Sequence, residues 1–140
     1  VRGGYPGHGE TYLNEKGILW WSHGGKLHGE SWKRIKFLIK ILKQTPGLGL
    51  KCDTSRREEW DAVVGIPEDE KLAKETGYQL FYYSFMRPSF RQFWFKDDTK
   101  YHVEIIDTWN MTITDAGVHS GKFKINLPGR QYMAIRLTKA

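Results

Sequence analysis

Lys122-Phe123-Lys124-Ile125-Asn126-Leu127 alternates polar and apolar side chains without a break, and Met133, Ile135 and Leu137 then alternate with Ala134, Arg136 and Thr138. Successive side chains of an extended chain point to opposite faces, so a period of two marks a strand with one face on a core. Working outward, residues 78–85, 90–95, 101–106 and 109–114 are rich in aromatic and β-branched residues. Arg87-Pro88, Asp97-Asp98, Asp115-Ala116-Gly117 and Pro128-Gly129 separate the runs as turns. Six short strands this closely spaced predict a small antiparallel β-sandwich over residues 77–140.

Upstream the grammar changes. Residues 31–44 read as the principal helix: Ser31 is a plausible N-cap, and Ile35, Leu38, Ile39 and Leu42 recur at helical spacing. Phe37 and Ile41 widen that apolar stripe, and Pro46-Gly47 stops the helix. Residues 48–76 look polar and irregular, with 52–60 as a linker. A short helical turn follows at Pro67-Glu68-Asp69-Glu70, where acids favour the N-terminal dipole. Residues 1–30 hold eight of the fifteen glycines and three of the five histidines, a composition suited to loops and short strands.

Charge and composition narrow the function classes. The 140 residues carry a formal charge of +6. All of the excess sits between Ser31 and Lys51, on Lys33, Arg34, Lys36, Lys40, Lys43 and Lys51, and the remaining residues balance. A lysine face on a helix is ordinarily a solvated face, so neither a nucleic-acid nor a membrane partner is expected. No apolar run reaches the length of a membrane-spanning helix. The single cysteine, Cys52, can form neither an internal disulfide nor a multi-cysteine zinc site, and its charged surroundings do not suit a nucleophile. The compartment stays open, with the cytoplasm slightly favoured.

Chemistry concentrates near the N-terminus. His8-Gly9-Glu10-Thr11-Tyr12 is echoed twenty residues later by His28-Gly29-Glu30-Ser31-Trp32, and Trp20, Trp21 and His23 lie between them. Indole and phenol faces stack on sugar rings, while carboxylates and imidazoles bond their hydroxyls. His8, Glu10, Tyr12, Trp20, Trp21, His23, His28 and Glu30 are therefore the candidate substrate-binding residues. The same histidines and glutamates lack the helical spacing of a metal site, so no metal and no cofactor is expected. Asp107 and Asp115, flanking Trp109-Asn110-Met111-Thr112, read as turn and hydrogen-bonding residues. Tyr82, Trp94 and Trp109 offer a further aromatic set, suited to a non-catalytic carbohydrate-binding module, and the lysine face of the helix leaves an interaction module as the other alternative.

Longer runs carry a resemblance. Gly3-Gly4-Tyr5-Pro6-Gly7-His8-Gly9-Glu10-Thr11-Tyr12, Ile18-Leu19-Trp20-Trp21-Ser22-His23-Gly24-Gly25 and Leu27-His28-Gly29-Glu30-Ser31 resemble the last part of an apiosidase-like (β/α)8 glycoside hydrolase. Tyr101-His102-Val103-Glu104-Ile105-Ile106-Asp107-Thr108-Trp109-Asn110-Met111-Thr112-Ile113 and Leu127-Pro128-Gly129-Arg130-Gln131-Tyr132-Met133-Ala134-Ile135-Arg136-Leu137 are similar to the C-terminal β-domain of such enzymes.

The resemblance implies that residues 1–12 and 18–30 are the seventh and eighth barrel strands with their loops, and 31–44 the eighth barrel helix. His8, Glu10, His23 and Glu30 would then approach the cleft at the strand ends. The paired carboxylates of a retaining glycosidase, roughly 5 Å apart, would lie upstream of Val1, so no catalytic residue is assigned here. The expected organisation is a barrel remnant at 1–47, a linker or irregular segment at 48–76 and a β-sandwich at 77–140. The fold class is mainly β with one principal helix, a small antiparallel β-sandwich preceded by a βα remnant. The implied partners are the rest of the barrel and its carbohydrate substrate, and apolar surface left exposed could drive homo-oligomerisation.

Overall fold

The C-terminal strand keeps the alternation read from the sequence, but over residues 133–137 neither of its faces is wet. In the strand Met133–Lys139 the side chains of Met133, Ile135 and Leu137 face one way and those of Ala134 and Arg136 the other, and all five are buried. A strand buried on both faces belongs in the middle of a sheet. The computed structural model places it there, and describes residues 12–13, 16, 26–27, 29–56 and 61–140.

In chain order the elements are β1 (Tyr12–Leu13), β2 (Lys26–Leu27), α1 (Ser31–Lys43), β3 (Leu50–Cys52), β4 (Val63–Pro67), α2 (Glu70–Thr76), β5 (Gln79–Tyr82), β6 (Phe90–Trp94), β7 (Tyr101–Asp107), β8 (Thr112–His119), β9 (Lys122–Asn126) and β10 (Met133–Lys139). Six of them form an antiparallel sheet in the order β3-β4-β5-β10-β7-β8. β6 and β9 pair separately as a two-stranded ribbon.

The ribbon covers one face of the sheet. There Phe93, Ile125 and Leu127 meet Phe81, Tyr83, Tyr101, Val103, Met133, Ile135 and Leu137. Phe81 and Phe93 touch edge to face, with ring centroids 5.1 Å apart. The helix α1 covers the opposite face, where Ile41 and Phe37 pack on Tyr78, Leu80, Ile106 and Ala134. The architecture is a small β-sandwich with one principal helix, as the sequence predicts, and the structure lays that helix on the outer face of the sheet.

Several local expectations need correction. Residues 48–76 are not an irregular linker: β3 and β4 lie within them and extend the main sheet. Both strands are short, and Val63-Val64-Gly65-Ile66-Pro67 lacks alternation because Val64, Gly65 and Pro67 are all buried. Pro67 ends β4 rather than opening a helix, and α2 begins at Glu70 with the Asp69 carboxylate capping the N–H groups of Lys71 and Leu72. Gly77 closes α2 in the left-handed conformation, at φ 56°. Asp115-Ala116-Gly117 is no turn but the middle of β8, where a bulge against His102 and Glu104 absorbs the irregularity.

The helix also differs in detail. Glu30, not Ser31, is the N-cap residue, and its carboxylate turns to the Lys33 ammonium instead of the helix N–H groups. Ile41 is the side chain that α1 buries, whereas Leu38, Ile39 and Leu42 stay 40–42% exposed. The helix therefore rests on the Phe37–Ile41 edge of its apolar surface and turns the stripe read from the sequence partly outward.

Arg136 fixes where the helix ends. Its guanidinium, 6% exposed, donates from Nε to Glu104 on β7 at 2.6 Å and from Nη1 to Gln44, the C-cap residue of α1, at 2.8 Å. Removing one partner of a buried ion pair leaves the other charge without compensation. Arg136→Ala is expected to lower unfolding stability by about 3 kcal/mol, read by urea denaturation. Arg136→Met combined with Glu104→Gln is expected to recover part of that loss.

Candidate functional site

The structure locates few of the sequence-predicted site residues. Tyr12 lies on β1, whose two residues pair antiparallel with β2 in the register Tyr12↔Leu27 and Leu13↔Lys26. Glu30 is exposed at the head of α1 and pairs with Lys33. His8, Glu10, Trp20, Trp21, His23 and His28 lie outside the described residues. Adjacent strands of a (β/α)8 barrel run parallel, so the β1–β2 ladder is not itself a pair of barrel strands.

What the described residues do bring together is a groove where α1 crosses one end of the main sheet. Its cavity is about 490 Å³. Phe37, Ile41 and Leu42 form the helix side and Leu80, Tyr82 and Ala134 the sheet side, with Arg34, Trp109 and Tyr132 at its mouth. Trp109 is 59% exposed and stacks on Tyr132, ring centroids 6.2 Å apart at 20°. The Arg34 guanidinium lies 4.3 Å from the indole centroid and donates to the Trp109 carbonyl oxygen at 2.6 Å. One arginine thus holds both the ring and the backbone of the same residue, and links α1 to the loop after β7.

That loop is shaped by Asp107. Its carboxylate is 7% exposed and accepts four hydrogen bonds. These come from the backbone N–H groups of Trp109 and Asn110, the Asn110 side-chain amide and Arg130, at 2.6–3.0 Å. Collecting those N–H groups turns the chain at 108–111, which is why β8 starts at Thr112 and not at Trp109. Met111 takes the left-handed conformation there, at φ 57°.

Tyr132 and Ser84 do the same across the groove, at φ 62° and 53°. Tyr132 donates its N–H to the Ser84 carbonyl and accepts from Thr108 Oγ1 at 2.7 Å. Non-glycine residues adopt this conformation only where surrounding bonds over-determine it. Here three of them hold one end of the sheet in a set shape.

Burial pushes the Asp107 carboxyl up, but the bonds from Asn110, the Arg130 charge and the Trp109 N–H together outweigh it. They hold the group below the ordinary carboxylate range. The groove is mainly apolar, with a guanidinium and stacked aromatic rings at its rim. It can grip an apolar helix face or stack a planar apolar face. Among the described residues, no group of three or more histidine, cysteine, aspartate or glutamate side chains could hold a metal ion, so no metal chemistry is assigned to it.

The aromatics Tyr82, Trp94 and Trp109 do not share one face. Tyr82 and Trp109 line this groove, whereas Trp94 stands on β6 across the sandwich. Sequence reasoning missed Arg34 and Arg130 as partners of this site. The available signal was a tryptophan between an aspartate and an asparagine in a turn position, a costly place to expose an indole.

Comparison with known families matches the profile described as Domain of unknown function (DUF5605) to residues 60–138. The chain belongs to the DUF5605 family. The family segment runs from just before β4 into β10 and includes Asp107, Trp109 and Tyr132, whereas α1 and Arg34 precede it. The groove is thus where the DUF5605 sandwich receives the helix in front of it.

Two solved structures share the fold. One is from Bacteroides vulgatus ATCC 8482 and is described as a candidate glycoside hydrolase. It is 24% identical with a TM-score of 0.68, over 93% of this chain and 28% of that one. The other, described as a glycoside hydrolase, is 14% identical with a TM-score of 0.55, over 86% of this chain and 30% of that one. The DUF5605 chain therefore spans less than a third of either neighbour. No curated protein matches it.

A carboxylate held below its ordinary range stabilises the fold above its unfolded pKa, and that contribution is lost as pH falls through the folded value. Asp107→Asn is expected to cost about 1–3 kcal/mol at pH 7, where it leaves buried donors poorly matched. The gap from the parent protein should narrow as pH falls below about 4. Urea unfolding of both proteins at pH 7 and pH 3 checks this.

Proposed function

We propose that this chain is part of a glycoside hydrolase, in which the DUF5605 sandwich props an apiosidase-like (β/α)8 barrel by gripping its last helix. The observation that carries the reading is the two-sidedness of α1. One edge is clamped to the sheet through Phe37, Ile41, Arg34–Trp109 and Gln44–Arg136. Trp32, Leu38, Ile39 and Leu42 remain 40–45% exposed. Leu38 and Leu42 edge the groove and are only part-covered by the sandwich, and apolar residues left this exposed suit a helix that packs on a second body as well. The fold shared with two much longer proteins described as glycoside hydrolases supports the same reading.

In this proposal His8, Glu10, Tyr12, Trp20, Trp21, His23, His28 and Glu30 bind carbohydrate, and the carboxylate pair that breaks the glycosidic bond comes from the rest of the barrel. The sandwich takes no part in the chemistry. Its work is positional: α1 anchors the segment in front of it, so a rigid grip on α1 limits how far the binding loops can drift. This chain alone is expected to hydrolyse nothing.

The test is made in the longer protein that carries this chain, against a panel of oligosaccharides. Glu10→Gln and His23→Ala are each expected to lower kcat/KM by about tenfold or more, the loss of one substrate hydrogen bond to a charged or polar group. Absence of hydrolysis on every glycoside offered, or hydrolysis by these residues alone, would contradict the reading.

A further inference from the structure

The face of the sandwich away from α1 carries an arrangement that the helix clamp does not use. β6 and β9 pair in the register Phe90↔Asn126, Gln92↔Lys124 and Trp94↔Lys122. Phe93 and Ile125 turn inward and are buried, so the alternating positions Phe90, Gln92, Trp94, Lys122, Lys124 and Asn126 turn outward, and all six are exposed. Trp94 is 80% exposed and Phe90 46%. The Lys124 ammonium sits 4.3 Å from the Phe90 ring centroid, so this lysine lies along the ribbon.

The composition of this face is specific. Two aromatic rings, two ammonium groups and two carboxamides point outward, and no carboxylate does. Asp97 and Asp98, the acids nearest Trp94 in sequence, lie beyond the end of β6. Phe90 and Trp94 stand four residues apart on one strand, about 13 Å along it. That length fits several linked rings rather than one monosaccharide. An indole face stacks on the C–H face of a sugar ring. Gln92 and Asn126 can donate to and accept from hydroxyls, and Lys122 and Lys124 can pair with carboxylates.

We propose that the outer face of the β6–β9 ribbon binds a linear acidic oligosaccharide, a chain of uronic acid residues, with Trp94 as its stacking platform and Lys122 and Lys124 as its carboxylate contacts. Single-stranded nucleic acid also stacks on aromatic sheet faces, but it requires a cationic track along its backbone. This face has two cations and no arginine, and the chain's excess of positive charge lies on residues 31–51, mostly on the α1 side of the sheet. The proposal goes beyond the hydrolase reading and does not rest on it, because neither α1 nor residues 1–30 contribute a group.

Isothermal titration of the intact chain with a galacturonic acid hexamer tests it, with a neutral glucose hexamer and an oligouridylate as competitors for the same role. The uronate is expected to bind, at least tenfold more weakly to Trp94→Ala. It should also bind more weakly to the chain carrying both Lys122→Gln and Lys124→Gln. Lys36→Gln with Lys40→Gln removes two cations from α1 and should leave binding unchanged. Unaltered melting temperatures identify losses that come from the face itself, since each substituted side chain is exposed. No uronate binding, equal binding by Trp94→Ala, or tighter binding of the neutral hexamer or the oligouridylate would overturn the proposal.

Discussion

A guanidinium keeps its charge at any ordinary pH, so a buried one dictates what must stand around it. Arg136 is that group here. It projects from the central strand β10 onto the helix-bearing face of the sheet, and takes Glu104 from β7 and Gln44 from the end of α1. A displaced helix would leave its Nη1 without the Gln44 acceptor. Ten residues earlier, about 15 Å along the helix axis, Arg34 binds the ring and carbonyl of Trp109. Two polar anchors at that separation set the direction of the helix, and Phe37 and Ile41 fill the space between them.

These anchors also explain the shape of the groove. Arg34 needs Trp109 held out from the sheet, and Asp107 provides this by drawing the N–H groups of residues 109 and 110 onto one buried carboxylate. Tyr132, kept in the left-handed conformation by Ser84 and Thr108, then supplies the second ring of the stack. The chain of dependence runs from a turn in the DUF5605 sandwich to a helix that lies outside the family segment. Under the proposed function, the same chain runs on to loops that bind sugar.

Much of this was legible in the sequence where side chains alternate or aromatic and β-branched residues cluster. β9 and β10 begin where alternation places them and β6 where its aromatic run begins, although β10 is buried on both faces. Asp107 reads correctly as a turn acceptor. β3 escapes notice because three residues are too few for a period, and β4 because its adjacent residues Val64 and Gly65 are both buried, so its pattern does not alternate. The helix is found but its buried edge is not. Apolar residues at 35, 37, 38, 39, 41 and 42 wrap most of its surface, and periodicity alone does not choose between two possible partners. Arg34 and Trp109 lie 75 residues apart, and nothing local joins a helix cation to a distant turn. The N-terminal histidines, glutamates and tryptophans lie outside the described residues, apart from Glu30 and the backbone of Tyr12, so their role as a sugar site stands as a proposal.

The central claim is that α1 and the sandwich form one cooperative body, joined through Arg136 and Arg34. Amide hydrogen exchange of the native chain tests it directly. If the claim holds, the interior amides of α1 exchange with the same opening free energy as those of β10 and β7, because the helix is released only when the sheet unfolds. If α1 exchanges near the rate of an unprotected peptide while β10 and β7 stay protected, the clamp is not holding the helix and the account fails.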